Sequence, residues 1–155
     1  MLKSSDIGFV SLKLTNTSFY ENLLQTARQF IDNQPYNQIV VFNSFCDKID
    51  THSVPILHLN HAKFFNGNLI LFDLASVLLT QSFTNIKKRF LYTKDTPWAT
   101  SPTTKYTEWL KLYGSSNLDI IVPNHQLYDI YSICWKQPVG ISENFHYEEI
   151  KNFIL

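Results

Sequence analysis

Glycine is scarce in this chain, with four residues among 155. That scarcity removes the loops that let a backbone approach phosphate closely. No G-x-x-x-x-G-K-[ST] occurs, so phosphate cradling of the P-loop kind is excluded. No G-x-G-x-x-G follows the first strand-like run; Thr15-Asn16-Thr17 stands there instead, which counts against a dinucleotide dehydrogenase. No G-x-S-x-G is present, so a nucleophile-elbow hydrolase has no support. Cysteine is scarcer still: the chain has two, Cys46 and Cys134, and neither sits in a C-x-x-C. Zinc and thioredoxin-type chemistry therefore lack their ligands, and no cofactor or metal is expected. No apolar run approaches the roughly 20 residues of a membrane span, and MLKSSDIGFVSLKL lacks a signal-peptide core. The expectation is a cytoplasmic protein with no membrane partner.

An excess of one charge is also absent. Thirteen basic residues face 13 acidic ones, and the pI is near 7.0. Electrostatic capture of nucleic acid is not indicated by charge. The run Lys87-Lys88-Arg89 reads as a solvated lead-in to a strand. Eleven Lys against two Arg, with 13 Asn, is the bias of an AT-rich genome such as a bacteriophage or a low-GC bacterium.

What is abundant is apolar and aromatic: 45% and 15% of the residues. That suffices for a solid core and argues against disorder. The length fits one domain, residues 1–155. Ile7 to Leu12 reads as a first strand. Ser18-x-x-Glu21 is a capping box that opens a helix with Phe19, Leu23, Leu24, Ala27, Phe30 and Ile31 on one face. Asn33-Gln34-Pro35 ends it. Gln38 to Phe42 is a continuous apolar run, the mark of a strand covered on both sides. Val54 to Leu59 is extended. Asn66-Gly67 then turns toward Leu69-Ile70-Leu71-Phe72, so a β-hairpin is expected around residues 56–72.

A short helix over Leu74 to Phe83 and a strand from Arg89 to Tyr92 follow. Asp95-Thr96-Pro97-Trp98 and Ser101-Pro102 form a loop. Tyr106, Trp109, Leu110 and Tyr113 share a helix face that Gly114 closes. A strand from Asp119 to Val122 leads into a helix presenting Leu127, Ile130, Tyr131 and Cys134, the last as a small hydrophobe. Val139-Gly140-Ile141 makes a final strand, and Asn144 caps a last helix. Strands alternating with helices predict an open, mostly parallel Rossmann-like α/β sheet with helices on both faces.

In such sheets ligands bind beyond the carboxyl ends of the strands, so the residues that stop each apolar run are the candidates. They are Thr15-Asn16-Thr17, Asn43-Ser44, Asp73, Thr93-Lys94-Asp95, Asn124-His125 and Ser142-Glu143-Asn144. Capping alone also explains polar residues there. A receiver-type role for Asp73 lacks its acidic partners after the first strand. His58-x-x-His61 is a poor metal pair, because residues three apart on a strand point to opposite faces. His125, at a helix start, is a candidate acid/base group kept neutral by the helix N-terminus. Trp98 beside Asp95 offers a flat face and a hydroxyl acceptor, which suits a sugar or a base.

The runs Ile39-Val40-Val41-Phe42-Asn43-Ser44 and Leu69-Ile70-Leu71-Phe72-Asp73 extend this pattern. With Asp119-Ile120-Ile121-Val122-Pro123, Pro138 to Ser142, and Asn144-Phe145, the chain resembles the N-terminal half of glycosyltransferases built from two Rossmann-like domains. The DNA glucosyltransferases of T-even-like phages are the nearest such family. The resemblance implies an acceptor-binding half or a non-catalytic relative, with a sugar or nucleotide-sugar ligand and a donor domain from a partner chain. It makes Asp73 or Asp95 the base toward an acceptor hydroxyl. The competing reading is a non-enzymatic interaction protein. Tyr106, Tyr113, Tyr128, Tyr131, Trp109 and Trp135 exceed what a small core needs, and a homodimer would bury the helix from Tyr106 to Tyr113.

Overall fold

Short apolar runs become the central strands of one sheet in the computed structural model, which describes residues 5–14, 17–35, 37–46, 50–101 and 104–155. Thr15 and Asn16 of the first polar turn, and Pro102, lie outside the described residues. The first half runs β1 (Ile7–Val10), β2 (Lys13–Leu14), α1 (Ser18–Asn33), β3 (Ile39–Asn43), β4 (Phe45–Cys46) and β5 (Ile56–His58). A 3-10 helix over Leu59–Phe64 leads to β6 (Asn68–Leu71), α2 (Leu74–Thr80), β7 (Lys88–Tyr92) and α3 (Pro97–Thr100). The chain then forms α4 (Tyr106–Tyr113), β8 (Leu118–Val122), α5 (His125–Cys134), β9 (Gly140–Ile141) and α6 (Tyr147–Ile154).

Seven strands form one sheet in the order β5-β3-β1-β6-β7-β8-β9, every pair parallel. The short β2 and β4 pair with each other. From β1 the chain steps outward to β3 and β5, then returns to β6 on the other flank and continues outward to β9. Strand order therefore reverses between β1 and β6, the switch point of a Rossmann-like sheet. Right-handed crossovers in opposite directions place their helices on opposite faces. One face carries α1 and α6 over Ile7, Phe9, Val41, Ile70, Phe90 and Ile121. The other carries α2, α4 and α5 over Val10, Phe42, Leu69, Leu71, Leu91 and Ile120. Alternate residues of each strand feed different cores, which is why the runs are apolar without a polar beat.

The expected hairpin around residues 56–72 does not form. β5 pairs with β3 and β6 pairs with β1, so the two strands lie apart in the same parallel sheet. Gly67 serves a close approach instead of a hairpin turn. A Cβ there would sit 2.3 Å from the Asp6 carbonyl oxygen, in the backbone that donates the first strand's register. Asn68 N–H bonds that same carbonyl at 2.9 Å.

Several ends also differ from expectation. Thr17 rather than Ser18 is the cap of α1, and no side chain caps it. His146 rather than Asn144 precedes α6. Cys134 is exposed, because α5 turns only Tyr131 fully inward. Arg89 is not solvated: it is buried, and its guanidinium donates to the carbonyls of Thr80 and Phe83, tying α2's end to β7. Burial lowers its pKa. Of the six aromatics read as surplus, Trp109, Tyr113 and Tyr131 are core residues. No described helix is long and apolar enough to cross a membrane.

Gly67→Ala should destabilise the protein by about 2 kcal/mol, since the clash is with backbone that has no rotamer to yield. Urea denaturation of the variant beside the parent checks this; an unchanged midpoint would refute the close-approach role.

Candidate functional site

The reversal between β1 and β6 leaves a cavity of about 390 Å³ at the carboxyl ends of the strands. Thr17, Phe19 and Tyr20 reach it from the start of α1. Phe72, Asp73 and Leu74 follow β6, and Tyr92, Thr93, Lys94 and Asp95 end β7. A broader depression of about 420 Å³ adjoins it, lined by Lys94, Asp95, Thr96, Asn124 and Leu127 among others. Lys94 and Asp95 are shared by both.

Each polar group is held by a local rule. Asp73 is the N-cap of α2, and its Oδ1 accepts from the Ser76 N–H at 2.6 Å, so one carboxylate oxygen is committed to the helix. Asp95 is fixed differently. The buried Thr93 hydroxyl donates to Asp95 Oδ1 at 3.1 Å. The buried Tyr131 hydroxyl lies 3.1 Å from Thr93 Oγ1 and 3.0 Å from the Asp95 carbonyl, to which it donates. Asp95 is itself exposed, a carboxylate standing on a buried hydroxyl relay. Burial raises the Tyr131 and Tyr113 pKa values, so both phenols stay neutral.

Aromatic rings form the cavity wall. Phe19 lies parallel to Tyr92 with centroids 5.9 Å apart, and edge-on to Phe72 at 5.6 Å. Tyr92 is anchored from behind: its hydroxyl donates to the carbonyls of Ser142 at 2.8 Å and Glu143 at 3.1 Å. Burial, with the nearby Glu149 and Glu143 carboxylates, pushes its phenol up to about 12. The Lys94 ammonium sits 3.9 Å from the centre of the Phe19 ring, and partial burial lowers its pKa.

The structure brings together Thr17, Asp73, Thr93, Lys94 and Asp95 of the residues read from sequence, with Asn124 at the adjoining depression. It places the others elsewhere. Asn43 is buried with its amide nitrogen unpartnered, in register with His58 two strands from the switch point's far side. Ser44 is exposed, and its N–H bonds the Leu12 carbonyl. His125 is exposed on the first turn of α5 and lines neither cavity. Glu143 is exposed and contributes its carbonyl to Tyr92. Trp98 packs inward, edge-on to Tyr113, Tyr131 and Trp135 at 4.9–5.5 Å, so its faces serve the aromatic cluster of α3, α4 and α5. Phe19, Tyr20 and Tyr92 are the site residues that the sequence pattern did not single out. Tyr92 adjoins Thr93, which was the available signal. Among the described residues, no group of three His, Cys, Asp or Glu is placed to hold a metal ion. His58 instead caps the 3-10 helix by accepting from Asn60 N–H.

Compared with protein-family models, curated proteins and solved structures, the chain matches none.

Tyr92 makes an alkaline prediction. Its phenol ionises near 10 when unfolded and at about 12 when folded, so its contribution is complete below pH 10 and lost as pH rises toward 12. Denaturation curves across that range should show stability falling, and Tyr92→Phe should flatten the fall. An equally steep decline in the variant would show that Tyr92 is not its source.

Proposed function

We propose that this chain is a glycosyltransferase-like acceptor domain that binds a hydroxyl-rich, sugar-type ligand in the cavity at the β1–β6 switch point. The observation that supports it most is one wall of aromatic rings, Phe19, Phe72 and Tyr92, meeting two carboxylates, Asp73 and Asp95, in a single cavity. Sugars present apolar C–H faces and hydroxyl donors, and this combination answers both. The volume of about 390 Å³ falls in the range of small-molecule sites. The wholly parallel sheet agrees with the Rossmann-like half that the sequence resemblance implies.

In this reading Asp95 is the base toward an acceptor hydroxyl. Thr93 holds one of its oxygens, leaving the other to receive a proton. Asp73 is the accessory acceptor, since its Oδ1 already caps α2. Transfer in this reading also needs a donor domain, because one half forms no interdomain cleft to exclude water from it.

Thermal denaturation with glucose, N-acetylglucosamine and UDP-glucose tests the reading. A ligand at 100 times its dissociation constant adds about 2.7 kcal/mol. Asp95→Asn should lose most of that stabilisation while keeping the unliganded melting temperature. No shift with any of the three, or an equal shift in the variant, would remove the support.

The exposed Tyr106 (64%) and Leu110 (47%) on α4 favour a second reading, a homodimer through that helix. Light scattering should then give twice the monomer mass, and Leu110→Glu should halve it; a monomer at all concentrations would dispose of this reading.

A further inference from the structure

Lys94 is the one cationic side chain lining the switch-point cavity among the described residues. Two carboxylates line the same cavity, yet Lys94 pairs with neither and makes no hydrogen bond among the described residues. Three lysines elsewhere are partnered, while the exposed Lys63 lies over the Phe64 ring at 4.9 Å. Lys88 pairs with Asp119 at 2.5 Å, Lys151 pairs with Glu148, and Lys136 donates to the carbonyls of Ser115 and Leu118. The Lys94 ammonium instead rests on aromatic faces, 3.9 Å from the Phe19 ring centre and 5.9 Å from that of Tyr92. A ring face attracts a cation but cannot accept all three of its N–H bonds. The charge is held, partly dehydrated and unneutralised, at the wall of a cavity. Its lowered pKa has the same origin.

The arrangement suits an anion, and the rest of the cavity limits which one. Asp73 and Asp95 repel a ligand that is anionic throughout, and they favour hydroxyl donors. Tyr20 and Thr17 add hydroxyl groups to the lining they share with Lys94. The matching molecule is bipolar: one compact anionic end at Lys94, and hydroxyls toward the two carboxylates. We propose that the cavity selects a phosphorylated sugar over a neutral one, with Lys94 as the phosphate-binding residue. This rests on the sugar-binding reading above and adds the charge of the ligand to it. A phosphate dianion forms charge-assisted bonds with an unneutralised ammonium, about twice as strong as those between neutral groups.

Calorimetry at low salt with glucose 6-phosphate, glucose and inorganic phosphate distinguishes the possibilities. The wild-type chain should bind glucose 6-phosphate at least about tenfold more tightly than glucose, and added salt should narrow that gap. Lys94→Met keeps the aliphatic stem over Phe19 and removes the charge. It should bring glucose 6-phosphate down to the affinity the same variant shows for glucose, and preserve the melting temperature. Lys94→Arg should retain the preference. In the wild type, the ammonium signal of Lys94 should titrate at higher pH once glucose 6-phosphate is bound. If glucose and glucose 6-phosphate bind equally, or if Lys94→Met keeps the preference, the phosphate assignment falls while sugar binding stands. If inorganic phosphate binds as tightly as glucose 6-phosphate and glucose does not bind, an anion site without sugar recognition is present, and the proposed selectivity is overturned. If none of the three binds, the sugar-phosphate inference falls together with sugar binding.

Discussion

Phe145 stands in the left-handed region at φ 57, with its ring fully buried. A bulky residue occupies that conformation only where its surroundings outweigh the cost, of order 1–3 kcal/mol. Here the surroundings are rings: Phe72 at 5.0 Å, Tyr92 at 5.1 Å, Phe9 at 6.1 Å and Phe19 at 6.3 Å. The Phe145 carbonyl also accepts from the buried Thr26 hydroxyl at 2.7 Å. This packing joins α1, the ends of β6 and β7, and the bend before α6. The same Phe19, Phe72 and Tyr92 are the cavity's aromatic wall. The site is therefore the outer surface of a core cluster, and its shape follows from that cluster's packing.

Rigidity on the aromatic side contrasts with the polar side. Asp95 and Lys94 are exposed, but each is oriented from beneath, one by the Thr93–Tyr131 hydroxyls and the other by the Phe19 ring. Orientation of this kind lowers the entropy that a ligand must overcome on binding. It also separates the two aspartates. Asp73 shapes α2, whereas Asp95 stabilises no helix end and is free to meet a partner.

Much of the architecture was legible because burial on both faces leaves a clear mark. Ile39 to Phe42, Leu69 to Leu71 and Ile120 to Val122 are apolar without alternation, which only a covered parallel strand explains. The hairpin expectation failed because Asn66-Gly67 reads alike as a turn and as a glycine pressed against a distant backbone; only the Asp6 carbonyl tells them apart. The rim residues were legible as a set and not as a site. Asn43 and Asp73 each end an apolar run, yet strand order sends one away from the reversal and the other to it. Phe19 looked like an ordinary member of an apolar helix face. Its role at the cavity comes from sitting on the first turn of α1, at the end where the strands stop.

The segment from Ser142 to Ile154 is clasped by side chains from far earlier in the chain. Tyr92 holds the Ser142 and Glu143 carbonyls, Thr26 holds Phe145, and Asn68 Nδ2 holds the Ile154 carbonyl at 3.2 Å. These closures span 50 to 119 residues, so their entropy is recovered late in folding. During synthesis the sheet's first five long strands can pair before this clasp exists, but Tyr92 then has no anchor and the wall no fixed form. The wall's final form would thus arrive with the docking of Ser142 to Ile154, making its shape a report on whether that segment has closed.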